Sequence, residues 1–236
     1  MAAQKLRLIS ILVSIFLAMA GCTASDGQTR ELPNDGPAPP TSRTAALSFV
    51  REALTAGQSA AENQSITLVL TDAEVTSFLG LRAELTRDLE KVGIEQIGQV
   101  EGLEELGGGG LNIEAWQGLF GTDGQPRELL IPRLRIGLRE PQVYFKADGR
   151  IIARGYLALL KWRMPVRAVV APRAAEGEME MDFVEGQIGK VKAPEFLFDL
   201  LGKGIAEALL AGQAYAAITQ IHVQAGTLTI SGRYNK

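Results

Sequence analysis

Between Leu134 and Phe183 the hydrophobic period of the chain is two, and no other feature narrows the fold as far. Leu134, Ile136 and Leu138 alternate with Arg133, Arg135, Gly137 and Arg139. Val143 and Phe145 alternate with Gln142, Tyr144 and Lys146, and Met179, Met181 and Phe183 alternate with Glu178, Glu180 and Asp182. Successive side chains of a strand point to opposite faces, so this pattern specifies strands with one apolar and one wet face. Pro141 breaks the first run, Asp148-Gly149 is a hairpin signal, and Pro172 to Gly177 reads as a turn. Ile152–Trp162, with mixed faces, and Met164–Ala171 read as the strands between. Ile218–Val223 and Thr227–Ser231 form a closing pair across Ala225-Gly226. Short turns between consecutive strands require antiparallel pairing.

Helical spacing frames this region. Leu47, Val50 and Leu54 predict a short helix over Ala46–Ala56, with Gly57 as its end. Ile66–Leu70 is a β-prone run. Thr71 with Glu74 three positions on is a capping box, and Val75, Phe78, Leu81, Leu85, Leu89 and Val92 then keep one face of a long helix apolar, with Gly93 as its end. Pro194 opens a second long helix carrying Leu197, Leu200, Leu201, Ile205, Ala208 and Leu209, flanked by Phe196 and Phe198. The expected class is therefore α+β, a curved antiparallel sheet packed against two long helices. Residues 98–127 form a glycine-rich loop or insertion. No GK[ST] follows its glycines, which argues against a phosphate-cradling loop.

The N-terminus carries an address. Lys5 and Arg7 precede an uncharged run, Leu8–Ala20, about 20 Å long as a helix against a bilayer core of about 30 Å. That length suits the apolar region of a signal peptide. Met19-Ala20-Gly21-Cys22 resembles the lipobox of bacterial lipoproteins, with Met19 where the family usually has leucine. The resemblance implies diacylglyceryl transfer to the Cys22 sulfur, cleavage before it and N-acylation, with palmitate as a typical chain. An ordinary secretory leader and an uncleaved anchor helix are the competing readings. The position of Cys22, the only cysteine, counts against the first, and the length of the run counts against the second. A lone cysteine also excludes an intramolecular disulfide. Residues 1–21 are thus expected to be a signal peptide. Residues 22–45, rich in Pro, Gly, Ser, Thr and Asp, would be a lipidated flexible linker, and 46–236 one domain. The expected place is the extracytoplasmic face of the cell membrane, or the outer membrane where the organism has one. The formal charge is −3, and removing Lys5 and Arg7 with the leader makes it two units more negative. A nucleic-acid partner is not expected.

Catalytic chemistry is hard to assemble from this chain. His222, the only histidine, falls in an expected strand, and without a partner ligand no metal and no cofactor is predicted. No serine stands in a GxSxG context. The acidic row Glu176, Glu178, Glu180 and Asp182 reads as a solvated strand face. Arg133, Arg135 and Arg139 read as its cross-strand partners, or alternatively as attractors of anionic lipid headgroups.

The phrases LTDAEVTSFL, PQVYFKADGRIIARG, GQIGKVKAPEFLFDLL and a terminal GTLTISG, in that order, resemble small exported bacterial proteins on a tubular lipid-binding (TULIP-like) plan. These include the YpmS-like proteins and the LmeA-like phospholipid-binding proteins. The resemblance covers roughly residues 64–236. It implies a long helix lying in the concavity of a curved antiparallel sheet and, in some members, binding of acyl chains. Phe78, Leu85, Phe145, Trp162, Met164, Met181, Phe183, Phe196 and Leu200 are the candidates to line a lipid slot. Their competing role is ordinary core. The expected function is non-catalytic binding of a lipid or other apolar ligand. The alternative is a ligand-free adaptor docking another envelope protein through its sheet face or glycine-rich loop.

Overall fold

A computed structural model describes residues 35–63, 65–92, 98–100, 103–104, 130–131, 136–159, 162–189, 191–192 and 216–234. The leader, Cys22, Arg133, Arg135, nearly all of the glycine-rich stretch, and the segment from Pro194 with Phe196 and Leu200 lie outside the described residues. The described elements are α1 (Arg43–Asn63), β1 (Ser65–Thr71), α2 (Asp72–Val92), β2 (Leu130–Ile131), β3 (Ile136–Phe145) and β4 (Ile151–Leu159). They continue with β5 (Trp162–Ala175), β6 (Glu178–Ile188), β7 (Val191–Lys192), β8 (Ala216–Gln224) and β9 (Thr227–Tyr234). The class is α+β, with every described strand pair antiparallel.

The strands divide into two sheets. β2 to β7 form a six-stranded meander in sequence order, whereas the closing hairpin β8–β9 pairs with β1 in the order β1-β9-β8. The hairpin has a ready partner in β1, whose alternating exposure places Ile66, Leu68 and Leu70 inward. The sheets meet where the β8–β9 turn is pinned: Gly226 N donates to Phe145 O at 3.0 Å and Asp72 N to Gly226 O at 3.2 Å. Ile218 N donates to Gly177 O at 2.7 Å and ties β8 to the β5–β6 turn.

The helices follow from local chemistry and one distant contact. At α2 the capping box forms as expected: Glu74 N donates to Thr71 Oγ1 at 3.2 Å, and Thr71 N donates to Glu74 Oε2 at 2.8 Å. Helix α1 is longer than the expected Ala46–Ala56 at both ends. Its start is set by Ser42, whose Oγ accepts from Ala45 N while its own N–H donates to Ser77 Oγ on α2. Gly57 is buried inside the helix and does not end it. The two helices lock through Phe49 and Phe78, stacked with centroids 4.2 Å apart. They share one buried cluster with Ile66, Leu68, Leu70, Leu228 and Ile230, and with Val143, Phe145 and Ile151 from the end of the meander.

Two turns differ from expectation. Pro141 does not end a strand but sits in a bulge of β3, where register passes from Arg139↔Tyr156 to Gln142↔Arg154. Pro172 lies inside β5, paired with Met181, beyond the last β4 pair at Ile151↔Val170. The turn is the dipeptide Glu176-Gly177, both at positive φ (53° and 85°), as a two-residue hairpin requires. Trp162 belongs to β5, paired with Leu159, and does not end the preceding strand.

Candidate functional site

Cross-strand register orders the apolar face of the meander into rows. Phe145, Ile151, Val170 and Phe183 form one; Val143, Ala153, Ala168 and Gly186 the next; then Gly155, Val166 and Ile188; then Leu138, Leu157 and Met164. The first rows merge with the helix core through Phe145, Ile151, Ala153 and Val170. Farther along, Leu157, Val166, Ala168 and Ile188 form a second buried cluster, with Leu138, Met164 and Phe183 packed against it. Small residues, Ala153, Ala168, Gly155 and Gly186, make the floor between the bulkier rows.

The sequence candidates therefore separate. Phe78 and Leu85 are fully buried in the helix core, Phe145 joins them, and Met181 packs at the edge of that core. Met164 and Phe183 belong to the second cluster. For Trp162 only the strand position is described, and Phe196 and Leu200 lie outside the described residues. Sequence reasoning missed Leu138, Leu157, Val166 and Ile188. Their signal was present in the strand phase, since each aligns across the ladder with a residue of the same face.

The opposite face is polar around a smaller apolar island, Tyr144, Ile152 and Val169. Asp35, which the sequence assigns to the linker, is held against it, and the residues that follow run to α2. Arg167 holds the Asp35 carboxylate in a fork, Nε at 2.8 Å and Nη2 at 2.8 Å, with both side chains nearly buried. Lys146 Nζ donates to the Asp35 carbonyl, Pro39 is buried, and Ser77 Oγ donates to Pro40 O at 3.2 Å. Lys146 and Arg154 cover the Tyr144 ring at 5.3 and 4.7 Å. Burial pushes the Tyr144 hydroxyl above its ordinary range, with Arg154 pulling the other way. A cavity of about 330 Å³ lies beside this clasp, between the β3–β4 hairpin and Arg167, Val169 and Glu185.

The charged rows pair differently from expectation. Glu180 pairs with Arg173 directly across on β5, and Asp182 reaches the same Arg173 diagonally; Arg139 stands on β3 opposite Tyr156. These pairs are about half exposed and contribute little to stability, about 0–1 kcal/mol. His222 is exposed on β8, its Nε2 2.8 Å from Gln224 Nε2. Among the described residues no three His, Cys, Asp or Glu side chains gather as a metal site, and no helix is long and apolar enough to cross a membrane.

No protein-family model matches the chain, and no curated protein matches it.

Proposed function

We propose that the protein is an envelope lipoprotein, anchored through Cys22, whose domain holds a lipid acyl chain or similar apolar ligand on the meander without chemistry. The supporting observation is the second apolar cluster. The apolar face continues past the core made with α1 and α2, over a floor of small side chains walled by Leu157, Met164, Val166, Ile188 and Phe183. Bulges at Arg139/Gln142 on β3 and beside Val169/Val170 on β5–β6 are the devices by which a sheet bends. A sheet bent at these bulges would present a trough, the shape a TULIP-like plan requires. Each methylene moved there from water contributes about 0.8 kcal/mol, so eight give about 6 kcal/mol before the cost of association.

The test uses the full chain twice. Wild type should fractionate with membranes and Cys22→Ser should not; a Cys22→Ser protein that stays membrane-bound refutes the anchor. Organic extraction of the soluble Cys22→Ser protein, purified without detergent, should release about one lipid per chain by mass spectrometry. Ala168→Trp, which fills the floor of the trough, should lower that yield several-fold. A lipid-free wild-type sequence that takes up no added phospholipid would refute ligand binding and favour the adaptor reading.

A further inference from the structure

The β3 bulge builds a feature the apolar trough does not need. Glu140 takes φ 49°, a left-handed conformation that is strained for a non-glycine residue and tends to collect at functional sites. The bulge turns Arg139, Glu140, Pro141 and Gln142 toward an open cleft of about 650 Å³, closed by Thr41, Arg163 and the backbone of Gly80 on α2. The side chains there are rich in donors. Arg139 makes no ion pair with any described residue. The Gln142 Oε1 already accepts from Tyr144 Oη at 3.1 Å and Arg154 Nε at 2.7 Å, which leaves its NH2 group as a donor with no described acceptor. Arg163 is stacked over the Tyr156 ring at 4.7 Å and bonded to Glu140, the one carboxylate among the described residues of the cleft.

We propose that this cleft binds a phosphate-bearing anion. The donors rise from three separate places, Arg139 and Gln142 on either side of the bulge and Arg163 two strands away, an arrangement suited to a tetrahedral anion. A carboxylate, with two oxygens in one plane, would use one guanidinium fork and leave the others idle. The Arg163 guanidinium is preorganised by its aromatic platform and the Gln142 amide by its two accepted bonds, so little ordering remains at binding. Glu140 competes with the anion for Arg163 and tempers the affinity. The volume exceeds a bare phosphate and leaves room for an ester substituent.

The test is isothermal titration of the full chain in neutral dodecylmaltoside micelles, at ionic strength matched with chloride. The probes are inorganic phosphate, glycerol 3-phosphate and phosphatidylglycerol mixed into the micelles. Saturable binding is expected. Arg139→Ala should weaken it at least tenfold. Gln142→Glu should abolish it with an unchanged melting midpoint, since a carboxylate still accepts from Tyr144 and Arg154. Glu140→Gln should strengthen it several-fold. Phosphatidylglycerol bound at least tenfold more tightly than glycerol 3-phosphate would identify a lipid headgroup as the source; equal affinities would identify a free phosphate ester. No saturable binding of any probe, or binding unchanged in both Arg139→Ala and Gln142→Glu, would overturn the proposal. Inorganic phosphate has no acyl chain, so that arm is indifferent to whether the trough holds lipid.

Discussion

Gly155 governs whether β3 can bulge. A methyl group placed on it would stand 2.8 Å from the Arg139 carbonyl oxygen and 2.9 Å from a Leu138 methyl group. The first of these is backbone and cannot swing aside. Gly155→Ala should therefore destabilise the fold by about 1–3 kcal/mol in urea denaturation, the range for overpacking. Gly232 has the same role opposite the β8 bulge, with the Ala217 carbonyl at 2.7 Å. Asp72 contributes a pH dependence of its own. Burial raises its carboxyl above the ordinary value, and backbone bonds and Lys146 offset this only in part. A carboxyl raised in the fold binds its proton more tightly folded than unfolded, so its favourable contribution is present at low pH and lost as pH rises through the raised value. Asp72→Asn should accordingly melt higher than wild type at pH 7, and the gap should close as the pH falls below the carboxylate range.

At the scale of elements, α2 does more than cover the core. Thr76 Oγ1 donates to Val143 O at 3.3 Å and accepts from Val143 N at 2.9 Å, so a helix side chain caps a strand edge that would otherwise stand unpaired. Thr76→Val keeps the volume but leaves both groups buried without partners. It should cost about 1–3 kcal/mol, measured by thermal unfolding. The elements legible in the sequence are those whose causes are local. The Thr71/Glu74 box marks the start of α2, and the Glu178–Phe183 alternation marks a half-wet strand. Asp148-Gly149 marks a hairpin with Gly149 at φ 84°. What escaped is caused from a distance. Pro141 looks like a break because Gly155, which makes room for the bulge, lies on another strand. The start of α1 is fixed by Ser77, 35 residues farther along.

For the whole molecule, the α+β class was legible because strand and helix periods alternate cleanly along the chain. The division into two sheets was not, because nothing near Ile218 says that its hairpin will pair with β1. The candidate slot was legible as composition but not as grouping. Phe78 and Phe183 look alike in sequence, yet one stacks on Phe49 in the helix core and the other joins a separate cluster. Arg139 was visible as a strand-face cation. Its separation from the acidic row depends on the register that sets Arg173 opposite Glu180.

The clasp on Asp35 also sets a working radius. On the proposed reading, with Cys22 lipidated and residues 22–45 as a linker, the domain would range about 80 Å at full extension. Held by Arg167 and Lys146, the chain is fastened to the meander at Asp35. The contour left between Cys22 and Asp35 is at most about 45 Å. If Cys22 is the anchor proposed above, a lipid ligand would be exchanged with the leaflet that carries the protein and not ferried across a wide compartment.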